Sequence, residues 1–371
     1  MLKHVYIDNF RCLVNFELEL GPQQLLLGLN GTGKSTLLEV LRALKRFITS
    51  QAPPDALFPE RSRTFWVDRT RQTFELQVEL DTSFRFRLEL DAWGALSKIK
   101  REVVLCDERP LFEFVDGNVS LFNDEFEHKF TYPFDQFRSA LATIQPRSDN
   151  KKLTKFLGWI KKLHCLRLNP YAMSSRTESE DPEPAPDMSN FASWYRYMKQ
   201  ERGDADSQLK SHLRQIIPDL ESLDLRFTGN TLRILQARFG TMAGDPPAPI
   251  GVAFEELSDG QRVLICLYAV LDFLVEDGAS LFIDEPENYI ALPEVQPWLM
   301  ELRDRIDDRG GQVILISHHP ELIDYLAPEI GLTFERPGPG PGPVRVRKYV
   351  PEPGQSLAPS EQIARGWSSS E

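Results

Sequence analysis

Gly28-Leu29-Asn30-Gly31-Thr32-Gly33-Lys34-Ser35 lies between an apolar run, Gln24-Leu25-Leu26-Leu27, and a stretch of helical spacing, Thr36 to Phe47. It fits G-x-x-x-x-G-K-[ST], the loop that wraps phosphate, in the strand–loop–helix setting that the pattern requires. Glycine lets a backbone close around phosphate oxygens, and amides at a helix start face negative charge. Asn30, Gly31, Thr32, Gly33 and Thr36 are therefore expected to line a nucleoside triphosphate. Lys34 is expected to reach its β- and γ-phosphates, and the Ser35 hydroxyl to bind magnesium. A glycine-rich turn that matches by accident is the competing reading, and the flanking strand and helix count against it. Nucleotide binding alone does not say what the nucleotide is for.

The chain has 371 residues, 41% of them hydrophobic, enough for one large α/β domain or two lobes with real cores. No run of eighteen apolar residues suggests a membrane span. Met1-Leu2-Lys3-His4-Val5 shows no signal-peptide pattern and enters a strand directly, so a cytoplasmic location is expected. Cys12, Cys106, Cys165 and Cys266 are widely spaced without a CxxC pair, which argues against a zinc site or disulfide framework. A net charge of −12 excludes a general nucleic-acid coat but leaves local DNA contact open.

Residues 2–8 and 14–20 alternate as half-buried strands do. Gln51 to Pro59 is a proline-rich break, and Thr73–Leu80, Phe84–Leu90, Arg101–Cys106 and Leu111–Val115 read as an antiparallel meander. Residues 134–163 are predicted helical. There Lys151, Lys152, Lys155, Lys161 and Lys162 alternate with Leu153, Phe156, Leu157 and Ile160, a basic patch or, preferred, a solvated face over an apolar stripe. Leu163 to Asn169 reads as a strand, and acidic, proline-rich Thr177 to Asp187 as a mobile loop. Residues 189–217 read as two helices whose Trp194, Tyr195, Tyr197 and Met198 pack. Leu223–Phe227 and Thr231–Phe239 form a hairpin turning at Gly229-Asn230. A Pro/Gly stretch spans 244–249, and Pro337 to Pro343 is a loop or linker. The expected divisions are 1–170, an ATPase lobe; 171–250, a helical insert; 251–335, the rest of the ATPase core; and 336–371, a linker and tail.

Three further motifs follow in order. Leu257-Ser258-Asp259-Gly260-Gln261-Arg262 precedes an apolar helical run, and Ser258 and Gly260 make either a second anion site or an ordinary N-cap. Ser280 to Glu287 (SLFIDEPE) reads as a buried strand delivering Asp284 and Glu285 at its C-terminal edge, where α/β sheets bind ligands. Asp284 suits a magnesium shell and Glu285 a general base for water. Val313 to Pro320 (VILISHHP) is another strand ending in polar residues, with His318 placed to meet a γ-phosphate more plausibly than His319. A glutamine sensing that phosphate is expected between the P-loop and Ser258; Gln145 and Gln77 both compete for the role.

P-loop, then Leu-Ser-Asp-Gly-Gln, then apolar strand–Asp–Glu, then strand–Ser–His resembles the ATP-binding-cassette superfamily. The opening Ile7-Asp8-Asn9-Phe10-Arg11-Cys12-Leu13 is similar to that of RecF-like and SMC-like ATPases, including the compact bacterial group of overcoming-lysogenisation-defect type and its stand-alone anti-phage relatives. Pro359 to Trp367 resembles tails of that stand-alone group. The resemblance implies an α/β P-loop fold of ABC/SMC-head type, with a mixed sheet core, an antiparallel β subdomain and a helical lobe. It implies a homodimer, or a higher oligomer, sandwiching ATP and Mg2+. Ser258, Gly260 and Gln261 would reach the partner's nucleotide, Glu285 would act as base, Asp284 would hold metal, His318 would be the switch histidine, and Arg11 would lie near the nucleotide. Two departures stand out. Asp259 occupies a position where many relatives have glycine, and the loop after Glu285 lacks Ala-Leu-Asp.

No long coiled coil is present, and the roughly fifty residues after His318 are too few for an appended nuclease. The expected function is therefore an ATP-dependent switch of an anti-phage or DNA-maintenance system with a separately encoded effector, such as a nuclease. A RecF-like repair ATPase that binds DNA directly is the alternative. A membrane transporter's cassette is a third possibility, opposed by the opening motif.

Overall fold

The computed structural model describes residues 1–371 apart from 95, 230, 241–248, 276–277, 339, 352–356 and 366–371. Expectations for Asn230, for 244–248, for Pro339 and for the tail residues Gly366 and Trp367 lie outside the described residues. The chain divides into two compact units, residues 1–165 with 316–371, and residues 166–315.

The first unit opens with β1 (Leu2–Asp8), β2 (Phe16–Glu19), β3 (Gln23–Leu27), α1 (Lys34–Thr49) and the short α2 (Pro54–Leu57). Then come β4 (Gln72–Glu79), β5 (Ser83–Trp93), β6 (Leu96–Cys106), β7 (Arg109–Val115), β8 (Asn118–Phe122) and β9 (His128–Pro133). These form an antiparallel sheet in the order β2-β1-β4-β5-β6-β7-β8-β9. The meander is therefore real and longer than its sequence suggested, with β8 and β9 added at one edge. The alternation of β5 decides its two faces. Phe84, Phe86, Leu88 and Leu90 are buried, with Phe86 stacked on Phe156 at 6.1 Å, while Arg87 pairs across the other face with Glu75 at 3.3 Å. Glu102 of β6 breaks the rule. It is fully buried, and its only described donor is Ser139 Oγ at 2.6 Å; burial pushes its carboxyl up to about 8.

Of the helix expected over 134–163, only α3 (Lys151–Lys161) is α-helical, with a single 3-10 turn at Leu141–Thr143 before it. Residues 128–133 are strand β9, and polar side chains take over the intervening backbone. Asp135 accepts from Phe137 N at 2.9 Å, Ser139 Oγ from Leu141 N at 3.2 Å, and Asn150 Oδ1 from Arg147 N at 2.8 Å. On α3 the stripe of Leu153, Phe156 and Ile160 is buried and the lysines form the outer face, Lys155 pairing with Asp81 at 2.6 Å. β10 (Leu163–Leu166) follows, shorter than the 163–169 predicted.

The second unit contains β11 (Arg176–Thr177), α4 (Phe191–Glu201), α5 (Gly203–Ile216), β12 (Leu220–Phe227), β13 (Arg233–Phe239), β14 (Ile250–Ala253), α6 (Asp259–Leu274), β15 (Ser280–Asp284) and α7 (Leu292–Arg309). The 177–187 segment is pinned rather than loose. Asn190 Nδ2 donates to Asp181 Oδ2 at 2.6 Å and to Glu183 O at 2.9 Å, and its Oδ1 accepts from Ala185 N at 2.7 Å. The predicted hairpin is present, with Phe227 opposite Arg233. Trp194, Tyr195 and Met198 are buried, as packing residues should be. From Arg262 to Leu274 every residue of α6 is buried, mostly apolar, with the charged Arg262 and Asp272 paired to Asp259 and Arg305. The chain leaves this unit along β16 (Gln312–Ile316) and re-enters the first through α8 (Pro320–Ile330), β17 (Gly331–Glu335), β18 (Arg345–Lys348) and α9 (Pro359–Ala364). β17 pairs parallel with β3, Leu332 beside Leu26, and antiparallel with β18. No helix among the described residues is long and apolar enough to cross a membrane.

Candidate functional site

In the first unit the P-loop leaves buried β3 and turns on three glycines in the left-handed half of backbone space, Gly28 (φ 133°), Gly31 (φ 76°) and Gly33 (φ 100°). A Cβ on Gly28 would stand 2.4 Å from the carbonyl oxygen of Phe334 on β17, so no other residue fits there. A Cβ on Gly33 would stand 3.0 Å from Cys12 Sγ and 3.1 Å from Leu13, which places the opening motif directly under the loop. Lys34 is buried and donates to the carbonyls of Gly28 at 2.5 Å and Leu29 at 3.1 Å, closing the loop on itself. Thr32 Oγ1 donates to Leu29 O at 2.8 Å. Asn30, Gly31 and Ser35 face solvent, and Thr36 is half-buried.

The start of α1 carries no side-chain cap and no acidic residue in its first turn. The first amides of a helix need partners, and these suit an anion. A glycine cradle, an uncapped helix start and a lysine fit a polyphosphate. Magnesium takes oxygen ligands, and the Ser35 hydroxyl and Asp284 carboxylate are of that kind.

Asn9, which carried no assigned role, ties the opening motif to the segment 64–71. Buried at φ 59°, it donates through Nδ2 to Arg69 O at 2.8 Å and Arg71 O at 2.9 Å and accepts from Thr64 N at 3.0 Å. Arg11 follows in a left-handed turn, its guanidinium 2.6 Å from Glu39 on α1. It is half-exposed and bound to the P-loop helix. His318 is exposed just past β16, in the same unit as the P-loop, and His319 occupies the N-cap position of α8 without a side-chain cap bond. Gln77 donates to Glu75 within β4 at 3.2 Å, and Gln145 is exposed, its carbonyl accepting from Asn150.

In the second unit Ser258 caps α6. Its hydroxyl accepts from Gln261 N at 3.2 Å while Gln261 Oε1 accepts from Ser258 N at 3.2 Å. The ordinary N-cap is thus present, and the hydroxyl proton stays available to donate. Gly260 is required because a Cβ would approach Tyr289 O to 2.8 Å. The anomalous Asp259 is met by two groups. The Arg262 guanidinium contacts it, and Tyr171 hydrogen-bonds it, which raises the pKa of that exposed phenol. Arg262 also donates to Pro170 O at 2.7 Å.

β15 is buried throughout and ends on Asp284, itself buried. Glu285 then turns at φ 52° and is more open. Arg167 lies across both carboxylates, Nη2 at 3.1 Å from Glu285 Oε2 and Nη1 at 3.8 Å from Asp284 Oδ2. Asn288 Nδ2 donates to the same Glu285 oxygen at 2.8 Å. The stretch Arg167 to Tyr171 thus touches both the Asp-Glu pair and the start of α6. Neither Arg167 nor Asn288 was found from the sequence; no spacing rule ties Arg167 to a carboxylate 118 residues away.

A family profile described as "AAA domain, putative AbiEii toxin, Type IV TA system" matches residues 25–324. No curated protein sequence matches the chain. Among solved structures, an SMC head bound to the C-terminal winged-helix domain of ScpA superposes with a TM-score of 0.54 at 10% identity, covering 95% of this chain and 98% of that one. The SMC head domain from Thermotoga maritima superposes at 0.46, with 10% identity over 94% of this chain and 98% of its own. At such identity the first likeness is one of fold, that of an SMC-head P-loop domain.

Proposed function

The chain belongs to the AAA-domain family that carries the AbiEii-toxin description, and from that premise we propose that it binds and hydrolyses MgATP at a site completed by a second copy of itself. The observation that carries the reading is the start of α1, an uncapped helix terminus under a glycine loop that a side chain would block. Lys34 and the loop amides hold the β- and γ-phosphates. Ser35 and Asp284 would hold magnesium, which when bound offsets phosphate charge. Glu285 takes a proton from water as the water oxygen attacks the γ-phosphorus, and the bond to the bridging β-phosphate oxygen breaks, giving ADP and phosphate. Ser258 and Gly260 of one copy meet the γ-phosphate of the other, with His318 as the switch histidine and Arg11 beside the nucleotide.

ATP that binds the closed pair better than the open form shifts the population toward the closed pair, and hydrolysis reopens it. Such a cycle is a switch. The toxin description of the family and the resemblance to anti-phage ATPases support a switch in a defence or DNA-maintenance system, acting through a separately encoded effector such as a nuclease.

The test is Glu285→Gln. It should retain ATP binding, lose hydrolysis by on the order of 100-fold or more, and run as a dimer by light scattering with ATP but not with ADP. Turnover at the wild-type rate would remove Glu285 from its role, and a monomer with ATP bound would remove the shared site.

A further inference from the structure

The carboxylate of Glu285 is held from one side. Arg167 and Asn288 both donate to Oε2, at 3.1 and 2.8 Å, and among the described residues Oε1 accepts no hydrogen bond. The backbone is set as well. Glu285 lies at φ 52°, a conformation that a glutamate keeps only where its surroundings enforce it, and Asn288 N donates back to Glu285 O at 3.1 Å. Arg167 itself is 59% exposed. An ion pair that open to water adds little to stability, so holding the fold is a poor account of it. What the arrangement does fix is which oxygen of Glu285 is engaged and which is left over.

We propose that Arg167 and Asn288 are the positioning residues of Glu285, pinning Oε2 so that Oε1 is presented to the attacking water; this rests on Glu285 being the base. The planar fork of arginine suits the task, because its two terminal nitrogens address Glu285 and Asp284 together and hold the neighbouring carboxylates in one relative pose. Lysine could answer only one of them at a time. Asn288 adds a neutral donor on the same oxygen from within the turn, and so steers the carboxylate without changing its charge balance.

The test uses the full chain with Arg167→Ala, Arg167→Lys, Asn288→Ala, Glu285→Gln and the Arg167→Ala/Glu285→Gln double variant. Turnover, KM and the affinity for a fluorescent non-hydrolysable ATP analogue are measured for each. Arg167→Ala should lose about 10- to 100-fold in kcat, the scale of a misplaced reacting group, with analogue affinity within about twofold of wild type. Arg167→Lys should recover part of the loss, which guards against a folding defect, and Asn288→Ala should lose less. The double variant should match Glu285→Gln alone, because both changes act through one carboxylate. A crystal structure of Arg167→Ala should show the Glu285 carboxylate rotated away from its present pose. The proposal is overturned if Arg167→Ala turns over at or above the wild-type rate while Glu285→Gln is inactive, if the loss appears in analogue affinity instead, or if the carboxylate stays in place. If Glu285→Gln is itself fully active, the base assignment fails first and the positioning role goes with it.

Discussion

Two helix starts, one in each unit, are built in opposite ways. Before α1 stands Gly33, which has no side chain to cap the helix, and the first turn holds no acid. Before α6 stands Ser258, locked in a reciprocal box with Gln261, and the first helical residue is an aspartate held by Arg262. The first start has no side chain of its own to cap it. The second has already met part of its own need and keeps a single hydroxyl proton to offer. On the proposed function, the two starts would be anion sites of unequal strength. The first would hold a polyphosphate by itself, and the second would only add to a phosphate that something else has already placed.

The contrast can be broken most severely at Gly28. Gly28→Ala should cost several kcal/mol, because the new Cβ meets Phe334 O and the backbone is left-handed. Gly31→Ala, whose Cβ meets nothing within 4 Å, should cost only about 1 kcal/mol from its positive φ. Thermal unfolding of the two variants side by side measures the difference. Equal losses would mean that the close approach to β17 is not what selects glycine. The weaker anion site can be probed more gently. Ser258→Ala should destabilise by about 1 kcal/mol through the lost cap and leave ATP affinity of the single chain unchanged, while lowering ATP-dependent dimer formation. If single-chain ATP affinity falls as far as it should in Lys34→Ala, the two starts do not differ in the way their caps suggest.

What the sequence made legible follows the same division. The P-loop could be read because phosphate binding fixes residue types at short spacing, and Asp284 because a buried strand ending in acid is a local pattern. The meander from Thr73 onward could be read because strand alternation is also local. Arg167 could not be read, since it acts through a contact far along the chain from a stretch without a motif. The stretch from 134 to 150 was misread because its apolar spacing suits a helix, while Asp135, Ser139 and Asn150 bind the backbone first. Asn190 likewise orders a segment whose composition alone suggests mobility. Of the two partners of Asp259, Arg262 is legible at helical i+3 spacing, whereas Tyr171, far along the chain, is not.

Glu102 carries a consequence in proton traffic. Its carboxyl rises from the ordinary 4.5 to about 8 on burial, so between those values the folded chain holds a proton that the unfolded chain gives up. Folding through this range takes a proton from the buffer. Stability contributed here is full below about pH 4.5 and drains away as the pH climbs through about 8. In Glu102→Gln that slope should vanish. Calorimetric unfolding near neutral pH in two buffers of different ionisation enthalpy should show about one proton fewer exchanged than in the wild type. The first unit thereby loses stability between about pH 4.5 and 8 and not beyond, through a residue far removed in sequence from the P-loop.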